Sequence, residues 1–256
     1  MSPDTVLRTA LFFFAFACAP LQAHAEKLLI YGDDAYVPVI YLDHGKPVGI
    51  LPAIFSRLSK DTGDTYELVL LPWKRALDES ARGHGGITNI SWNKERDRLY
   101  DFSAPIYDDD IQLVVLKGKE FPFLKFQDLK GKIAGGKIGA SYGEEVDKAI
   151  LDGTIKIDRD SSQVSRMKKL LLGRIDVAII GNGNAGFDLM IASDPDFIAN
   201  RDKLMVLPQP LVRDPLHLAF AKSMHKQAAL DRFNKALQAF RKTIEYRRLI
   251  SQSSNF

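Results

Sequence analysis

The amino-acid sequence predicts an α/β protein with two lobes, each built on a parallel-rich sheet, joined by two strands that form a hinge. Strand-like and helix-like segments alternate along the chain, which is typical of parallel sheets covered by helices. The 256 residues are enough for two modest lobes. Two apolar runs, at 111–116 and 217–220, are predicted to cross between the lobes, and two crossing strands would allow a cleft to close.

The first half of the chain supplies the elements of one sheet. Apolar segments predict strands at 27–31, 66–71 and 86–90. A helix is predicted at 51–60 because Leu51, Ile54 and Leu58 share one face, and Gly63 supplies its end. A second helix is predicted at 74–81. Strands that alternate with helices in this way are expected to run parallel.

The second half repeats the same order. Strands are predicted at 133–138 and 176–180, with helices at 144–151 and 164–172, the second helix following the possible caps Ser161 and Ser162. The basic C-terminal segment carries Leu237, Phe240 and Ile244 near helical spacing, which predicts a helix docked on the fold rather than a membrane or DNA arm.

The N-terminus has the pattern of a cleavable secretion signal. Arg8 precedes an apolar run at 9–19 that is too short to span a bilayer, and Ala23 and Ala25 are the small residues that a signal peptidase needs. The single cysteine, Cys18, lies inside this segment and follows a poor lipobox. The sequence therefore predicts a signal peptide at 1–25, a periplasmic mature protein, a first lobe at 26–112 with 215–256, and a second lobe at 113–214.

Composition narrows the classes of partner. The chain is 46% hydrophobic and 26% charged, and its formal charge of +3 is spread among acidic residues, which does not favour nucleic-acid binding. The histidines that follow the signal segment lack metal-ligand spacing. We expect no metal, no cofactor and a monomer whose partner is a small molecule.

The segment 88–107 is the strongest functional signal. Thr88, Asn89 and Ser91 end a short apolar strand, and Arg96 follows five residues after Ser91. The planar guanidinium of arginine can bind both oxygens of a carboxylate, and hydroxyl and amide groups beside it add donors. These residues predict a pocket for a small polar carboxylate. Arg96 could instead be a surface arginine paired with a neighbouring acid, and Ser91 could be a turn cap.

The same segment resembles the family 3 extracellular solute-binding proteins, the receptors of polar amino-acid ABC importers. The resemblance rests on Thr88, Ser91 and Arg96, followed by Asp-Phe-Ser-Ala-Pro at 101–105 and Tyr107. It implies the type II periplasmic binding protein fold, capture of a carboxylate or amino acid, and delivery to an inner-membrane ABC permease or a sensor.

The resemblance also implies further ligand contacts. The opening segment would present Asp33 and Tyr36 to the ligand, and the Gly-Ala-Ser element at 139–141 would add Ser141 and Tyr142 at a helix N-terminus. The remaining candidates are Trp73, as an aromatic wall, and Asn182. Trp73 and Tyr36 could equally be core residues, and Ser141 could be a helix cap.

One position departs from the family pattern. Where amino-acid receptors of this kind usually carry an aspartate for the ligand's ammonium group, this chain has Gly181. A buried ammonium group without a carboxylate partner loses much of its stabilisation. Either Asp33 takes over this role, or the ligand is a carboxylate without an α-amine.

Two enzymatic alternatives remain open. The segment 139–143 satisfies the G-x-S-x-G pattern of a serine hydrolase, with Ser141 as nucleophile and His217 as its base. The binding-protein fold also hosts periplasmic dehydratases similar to cyclohexadienyl dehydratase. A third pattern, G-x-G-x-x-G at 181–186, is typical of dinucleotide binding, but too few residues follow it to form the rest of such a unit. The glycines are therefore predicted to make a tight turn.

Overall fold

The computed structural model describes residues 25–252, which form an α/β fold of two lobes. The predicted signal sequence before residue 25 lies outside these residues. The strands are β1 (Lys27–Asp33), β2 (Ala35–Tyr36), β3 (Ile40–Asp43), β4 (Lys46–Val48), β5 (Thr65–Leu71), β6 (Gly86–Ser91), β7 (Tyr100–Phe102), β8 (Tyr107–Leu116), β9 (Ile133–Lys137), β10 (Lys156–Asp160), β11 (Val177–Ile180), β12 (Leu204–Val206) and β13 (Val212–Ala221).

Helices cover both lobes. They are α1 (Ile50–Thr62), α2 (Trp73–Ala81), α3 (Lys94–Leu99), α4 (Glu144–Leu151), α5 (Gln163–Leu171), α6 (Gly183–Ala192), α7 (Pro195–Ala199), α8 (Gln227–Phe240) and α9 (Ile244–Gln252). Among the described residues, none of these helices is long and apolar enough to cross a bilayer.

Eight of the strands follow one path in the order β10-β9-β11-β8-β13-β6-β1-β5. Beside this path β12 pairs with β8 and β7 with β13, and β2, β3 and β4 form a separate three-stranded sheet. At one end β5, β1 and β6 are parallel, and we call this group with its helices the first lobe. At the other end β10, β9 and β11 are parallel, and this group with its helices is the second lobe. The two predicted parallel-rich sheets are therefore confirmed.

The long strands β8 and β13 connect the lobes. They pair with each other antiparallel where residues 107–111 lie opposite 212–216. Beyond this pairing, β8 continues beside β11 and β12 in the second lobe, and β13 continues beside β6 and β7 in the first. The predicted crossover runs, 111–116 and 217–220, lie in the correct strands. The strands cross between the lobes just before these runs. The apolar runs are the segments buried within each lobe's sheet, whereas β8 and β13 pair with each other in the more polar stretch that precedes them.

Each lobe has apolar cores on its sheet. In the first lobe, α1 and α8 pack together on one sheet face, where the rings of Phe55 and Phe233 lie 5.5 Å apart. The helix α1 ends as predicted, because Gly63 takes the left-handed conformation (φ 77°) and its N–H donates to the carbonyl oxygen of Ser59. In the second lobe, α4 packs on one face and α5 with α6 on the other.

The strands and helices predicted with bounds within each lobe are present, with ends that shift by at most two residues. The crossing runs 111–116 and 217–220 belong to the longer strands β8 and β13, and the C-terminal segment predicted as one helix forms two, α8 and α9. The helix α5 begins after Ser162, whose hydroxyl accepts the N–H of Ser165. The prediction for the glycine run 181–186 was wrong. Asn182 is left-handed (φ 62°) and the helix α6 begins directly after it, so the run is a strand-to-helix junction rather than an isolated tight turn.

Candidate functional site

A cavity lies between the lobes, at the carboxyl ends of β1, β6, β9 and β11. It contains about 560 Å³ of space free of protein atoms, part of it open to solvent. Eight of the ten predicted site residues line it: Asp33, Tyr36, Trp73, Asn89, Ser91, Arg96, Ser141 and Tyr142. Open α/β sheets bind ligands beyond the carboxyl ends of their strands, so the position is the expected one.

Arg96 lies in the first turn of α3, where the side chain of Asn93 caps the helix by accepting the Arg96 N–H at 2.8 Å. Its guanidinium donates to the carbonyl oxygen of Ser91 at 2.8 Å and to that of Gly139 at 3.0 Å. Within residues 25–252, no carboxylate oxygen lies within 4.0 Å of it. Burial lowers the pKa of Arg96, and the carboxylates of Asp214 and Asp147 oppose this effect.

Asp214 faces the same cavity from the hinge strand β13, although no pattern in the sequence marks it as a site residue. The Ser91 hydroxyl donates to Asp214 Oδ2 at 2.6 Å. Burial raises the pKa of Asp214 to about 6, while the hydrogen bond from Ser91 and the charge of Arg96 act in the opposite direction. Ser91 therefore contacts a cation through its carbonyl and an anion through its hydroxyl.

Asp33, at the end of β1, is buried and its charge is already paired. One carboxylate oxygen forms an ion pair with Lys137 of the second lobe, and the other accepts the N–H of Ala35 at 3.1 Å. Its own N–H donates to the side-chain oxygen of Asn89, which holds an unusual left-handed conformation (φ 49°) inside β6. Asp33 and Asn89 therefore shape the cavity wall, and the negative charge of Asp33 is already balanced by Lys137.

Ser141 and Tyr142 approach from the second lobe. The Ser141 hydroxyl donates to Asp147 and accepts from Asn93 of the first lobe at 3.1 Å. The Tyr142 hydroxyl accepts the N–H of Lys137 at 2.8 Å. The Ser141 loop is thus organised by an aspartate at the start of α4 and by hydrogen bonds to neighbouring backbone.

The serine-hydrolase alternative finds no matching geometry. His217, its expected base, is buried in β13, where Nδ1 lies 2.8 Å from the carbonyl oxygen of Ser103 and the ring packs edge-on against Phe102. The partners of the Ser141 hydroxyl are Asp147 and Asn93 instead. The G-x-S-x-G pattern therefore marks a turn into α4.

Two aromatic residues close the cavity. Trp73, at the start of α2, is 6% exposed and its indole N–H donates across the cleft to the Gly139 carbonyl oxygen at 3.2 Å. The Tyr36 hydroxyl donates to Asp109, and its phenol ring fills the space beside Gly181 so closely that any Cβ at 181 would collide with it. The absence of a side chain at 181 is therefore a packing requirement of Tyr36.

Two predicted site residues, Thr88 and Asn182, do not line the cavity. Thr88 is fully buried within β6. Asn182 lies behind the wall: its N–H donates to Asp109 at 2.5 Å, and its side-chain oxygen accepts the hydroxyl of Tyr107. Thr88 was selected as part of the motif with Ser91 and Arg96, and Asn182 as the residue after Gly181, but neither lines the cavity.

Several lining residues were missed, among them Lys137, Gln163 and Arg166. Gln163 accepts the N–H of Gly181 at 3.1 Å, and Arg166 donates to Asp160 at 2.7 Å and to the carbonyl oxygen of Ile179 at 2.6 Å. One signal was available, because Arg166 occupies the apolar face of α5, where a charged side chain needs a buried partner.

Comparison with known proteins agrees with this geometry. The family model of bacterial extracellular solute-binding proteins, family 3, matches residues 28–253. The L-cystine-binding protein TcyJ of Escherichia coli (strain K12) is 30% identical over 166 residues, a match that spans 64% of this chain and 61% of that relative.

Solved structures share the fold. An ancestral arginine-binding protein bound to arginine superimposes with a TM-score of 0.72 at 21% identity, covering 88% of this chain and 97% of that one. A histidine kinase sensor domain with similarity to periplasmic binding proteins gives a TM-score of 0.73 at 20% identity, covering 88% and 95%. With the family model matching most of its length, this chain belongs to the bacterial extracellular solute-binding proteins, family 3.

Proposed function

We propose that this protein is a periplasmic receptor that binds a small polar carboxylate, specifically an amino acid, in the cleft between its lobes and delivers it to an inner-membrane ABC permease. The division into lobes at 26–112 with 215–256 and at 113–214 belongs to the same proposal. Family membership supports solute binding, and the names of the relatives, which bind cystine or arginine, support an amino acid as ligand.

The observation that carries the proposal is Arg96. Its guanidinium faces the cavity and is held by two carbonyl oxygens, one from each lobe, while no carboxylate in the described part of the chain neutralises it at close range. A desolvated guanidinium held in this way is suited to a ligand carboxylate, which would receive a charge-assisted bidentate contact. The hydroxyls of Ser91, from the first lobe, and Ser141, from the second lobe, line the same cavity.

The proposal predicts that Arg96→Ala abolishes calorimetric binding. Removing the guanidinium leaves the ligand carboxylate without its charged partner and should cost on the order of 3 kcal/mol or more, roughly a hundredfold in affinity. Arg98→Ala is the matched control, because Arg98 lies in the same short helix, is exposed and does not line the cavity. Full affinity in Arg96→Ala would overturn the proposal.

Turnover is tested in the same preparations. Saturable binding with no product by mass spectrometry, using prephenate among the candidate ligands, would support a receptor. Formation of a dehydrated product would favour the dehydratase alternative instead.

The proposed location depends on processing of the N-terminus. We propose that the chain is exported and cleaved after Ala25, because small residues at 23 and 25 follow the short apolar run. N-terminal sequencing of the periplasmic fraction should begin at Glu26. An intact Met1 on cytoplasmic protein would contradict this.

A further inference from the structure

The charged groups that line the cavity are not equally available to a ligand. Asp33 and Lys137 pair with each other, and Arg166 pairs with Asp160. Arg96 and Asp214 are different, because each is held only by neutral groups: two carbonyl oxygens for Arg96 and the Ser91 hydroxyl for Asp214. One cation and one anion therefore remain to meet a ligand.

Ser91 fixes the position of both charges. Its carbonyl oxygen accepts from Arg96 at 2.8 Å and its hydroxyl donates to Asp214 at 2.6 Å. Although the two charges share this residue, their nitrogen and oxygen atoms lie more than 4.0 Å apart, so no direct ion pair between them forms within the described residues. A molecule that has a carboxylate and an ammonium group a few bonds apart can place each beside its opposite charge.

Both charges also lie beside the end of β6. Ser91 ends β6, and β13 pairs with β6 so that Leu216 lies directly opposite Ser91, two residues after Asp214. The end of β11 is less suited to bind an ammonium group. Gly181 has no side chain there, and Tyr36 fills the space that a side chain would need.

We propose that Asp214 binds the α-ammonium group of the ligand, so that Arg96 and Asp214 together select an α-amino acid as a zwitterion. This assignment rests on the proposed role of Arg96 toward the carboxylate. The assignment favours Asp214 over Asp33, because the charge of Asp33 is already paired with Lys137. The ammonium group is thus recognised from the hinge strand β13, close to the Ser91 end of β6.

Asp214→Asn tests the assignment. The substitution removes the negative charge while its amide oxygen can still accept the Ser91 hydroxyl. The probes are the standard L-amino acids and L-cystine, followed by the 2-hydroxy acid that corresponds to the tightest binder, in which a hydroxyl replaces the ammonium group. We expect the wild type to prefer the amino acid, and Asp214→Asn to lose on the order of 30-fold in affinity for it. Affinity for the hydroxy acid should stay unchanged, which also shows that the variant is folded.

The matched control is Asp110→Asn. Asp110 lies in the paired part of the hinge, opposite Arg213, but does not line the cavity. Undiminished amino-acid affinity in Asp214→Asn would overturn the assignment and leave the role of Arg96 standing. Equal affinity of the wild type for the amino acid and its hydroxy acid, or failure of every amino acid to bind, would also overturn it. Full affinity in Arg96→Ala would instead remove the proposed function on which the assignment rests.

Discussion

At the scale of single residues, Asp109 shows how burial in the hinge raises the pKa of a carboxyl group. It is fully buried in β8 and accepts one hydrogen bond from the Tyr36 hydroxyl of the first lobe and one from the Asn182 N–H at the end of the second-lobe sheet. Burial raises its pKa from 3.8 to about 7, although both hydrogen bonds lower it. Desolvation outweighs the two donors, because a carboxylate inside the protein loses its hydration.

This shift predicts a pH dependence of stability. The folded state retains the Asp109 proton up to about pH 7, whereas the unfolded state releases it near pH 4. The folded state therefore binds more protons in this window, and stability falls as pH rises, by up to about 1.4 kcal/mol per pH unit. Above pH 7 both the folded and the unfolded states have released this proton, so Asp109 no longer makes the stability depend on pH. Relative to Asp109→Asn, the wild type should lose free energy of unfolding between pH 4 and pH 7 and then change no further.

Urea unfolding of wild type and Asp109→Asn across this pH range measures the difference between their free energies of unfolding. Groups that titrate equally in both proteins cancel from this difference. Asp110→Asn serves as the control, because Asp110 is about half exposed beside Arg213. A constant difference between wild type and Asp109→Asn from acid to neutral pH would show that Asp109 titrates normally.

The sequence could identify site residues only where a local pattern marks them. Ser91 and Arg96 stand five positions apart in one segment, and their chemistry alone predicted a carboxylate pocket. Asp214 meets Ser91 across 123 positions and Lys137 meets Asp33 across 104, so only the pairing of distant strands brings them together. The sequence also could not show why residue 181 is glycine, because Tyr36, which fills the space beside it, comes from the other lobe.

At the scale of elements, periodicity predicted those that bury an apolar face. Helices such as α1 and α5 place apolar residues three or four positions apart, and this signal is local. The strand β10 (Lys-Ile-Asp-Arg-Asp) was missed because it pairs with only one neighbour, β9, and remains largely polar.

The short helix α3 was missed for a related reason. None of its six residues is buried, so it has no apolar stripe, and Asn93 defines its start through a side-chain cap. This helix nevertheless carries Arg96 into the cleft. A functional element can therefore lack every pattern that packing imposes, because its position depends on capping and on the strands beside it.

At the scale of the whole molecule, first-lobe side chains contact the second lobe directly across the cleft. The Gly139 carbonyl oxygen accepts from both Arg96 and Trp73, and Lys94 pairs with Glu144 at 2.8 Å. Each of these contacts requires the lobes to be close together. Within residues 25–252, β8 and β13 are the strands that connect the lobes, so a rotation about them would break the contacts together while leaving both cores intact.

This arrangement predicts that Trp73 reports closure. Its indole is buried at the lobe boundary and bonds to Gly139, so opening would expose the ring and remove that hydrogen bond. Trp92, the other tryptophan of the chain, is 44% exposed, and its indole donates to Asp97 within the first lobe. Adding an amino acid that binds should therefore change the intrinsic fluorescence of Trp92→Phe about as much as that of the wild type. In Trp73→Phe most of this ligand-dependent fluorescence change should be lost. Calorimetry must first show that Trp73→Phe still binds, because the indole also lines the cavity. A ligand-dependent signal that survives in Trp73→Phe and disappears in Trp92→Phe would place the moving boundary away from the Gly139 contact and contradict hinge closure about β8 and β13.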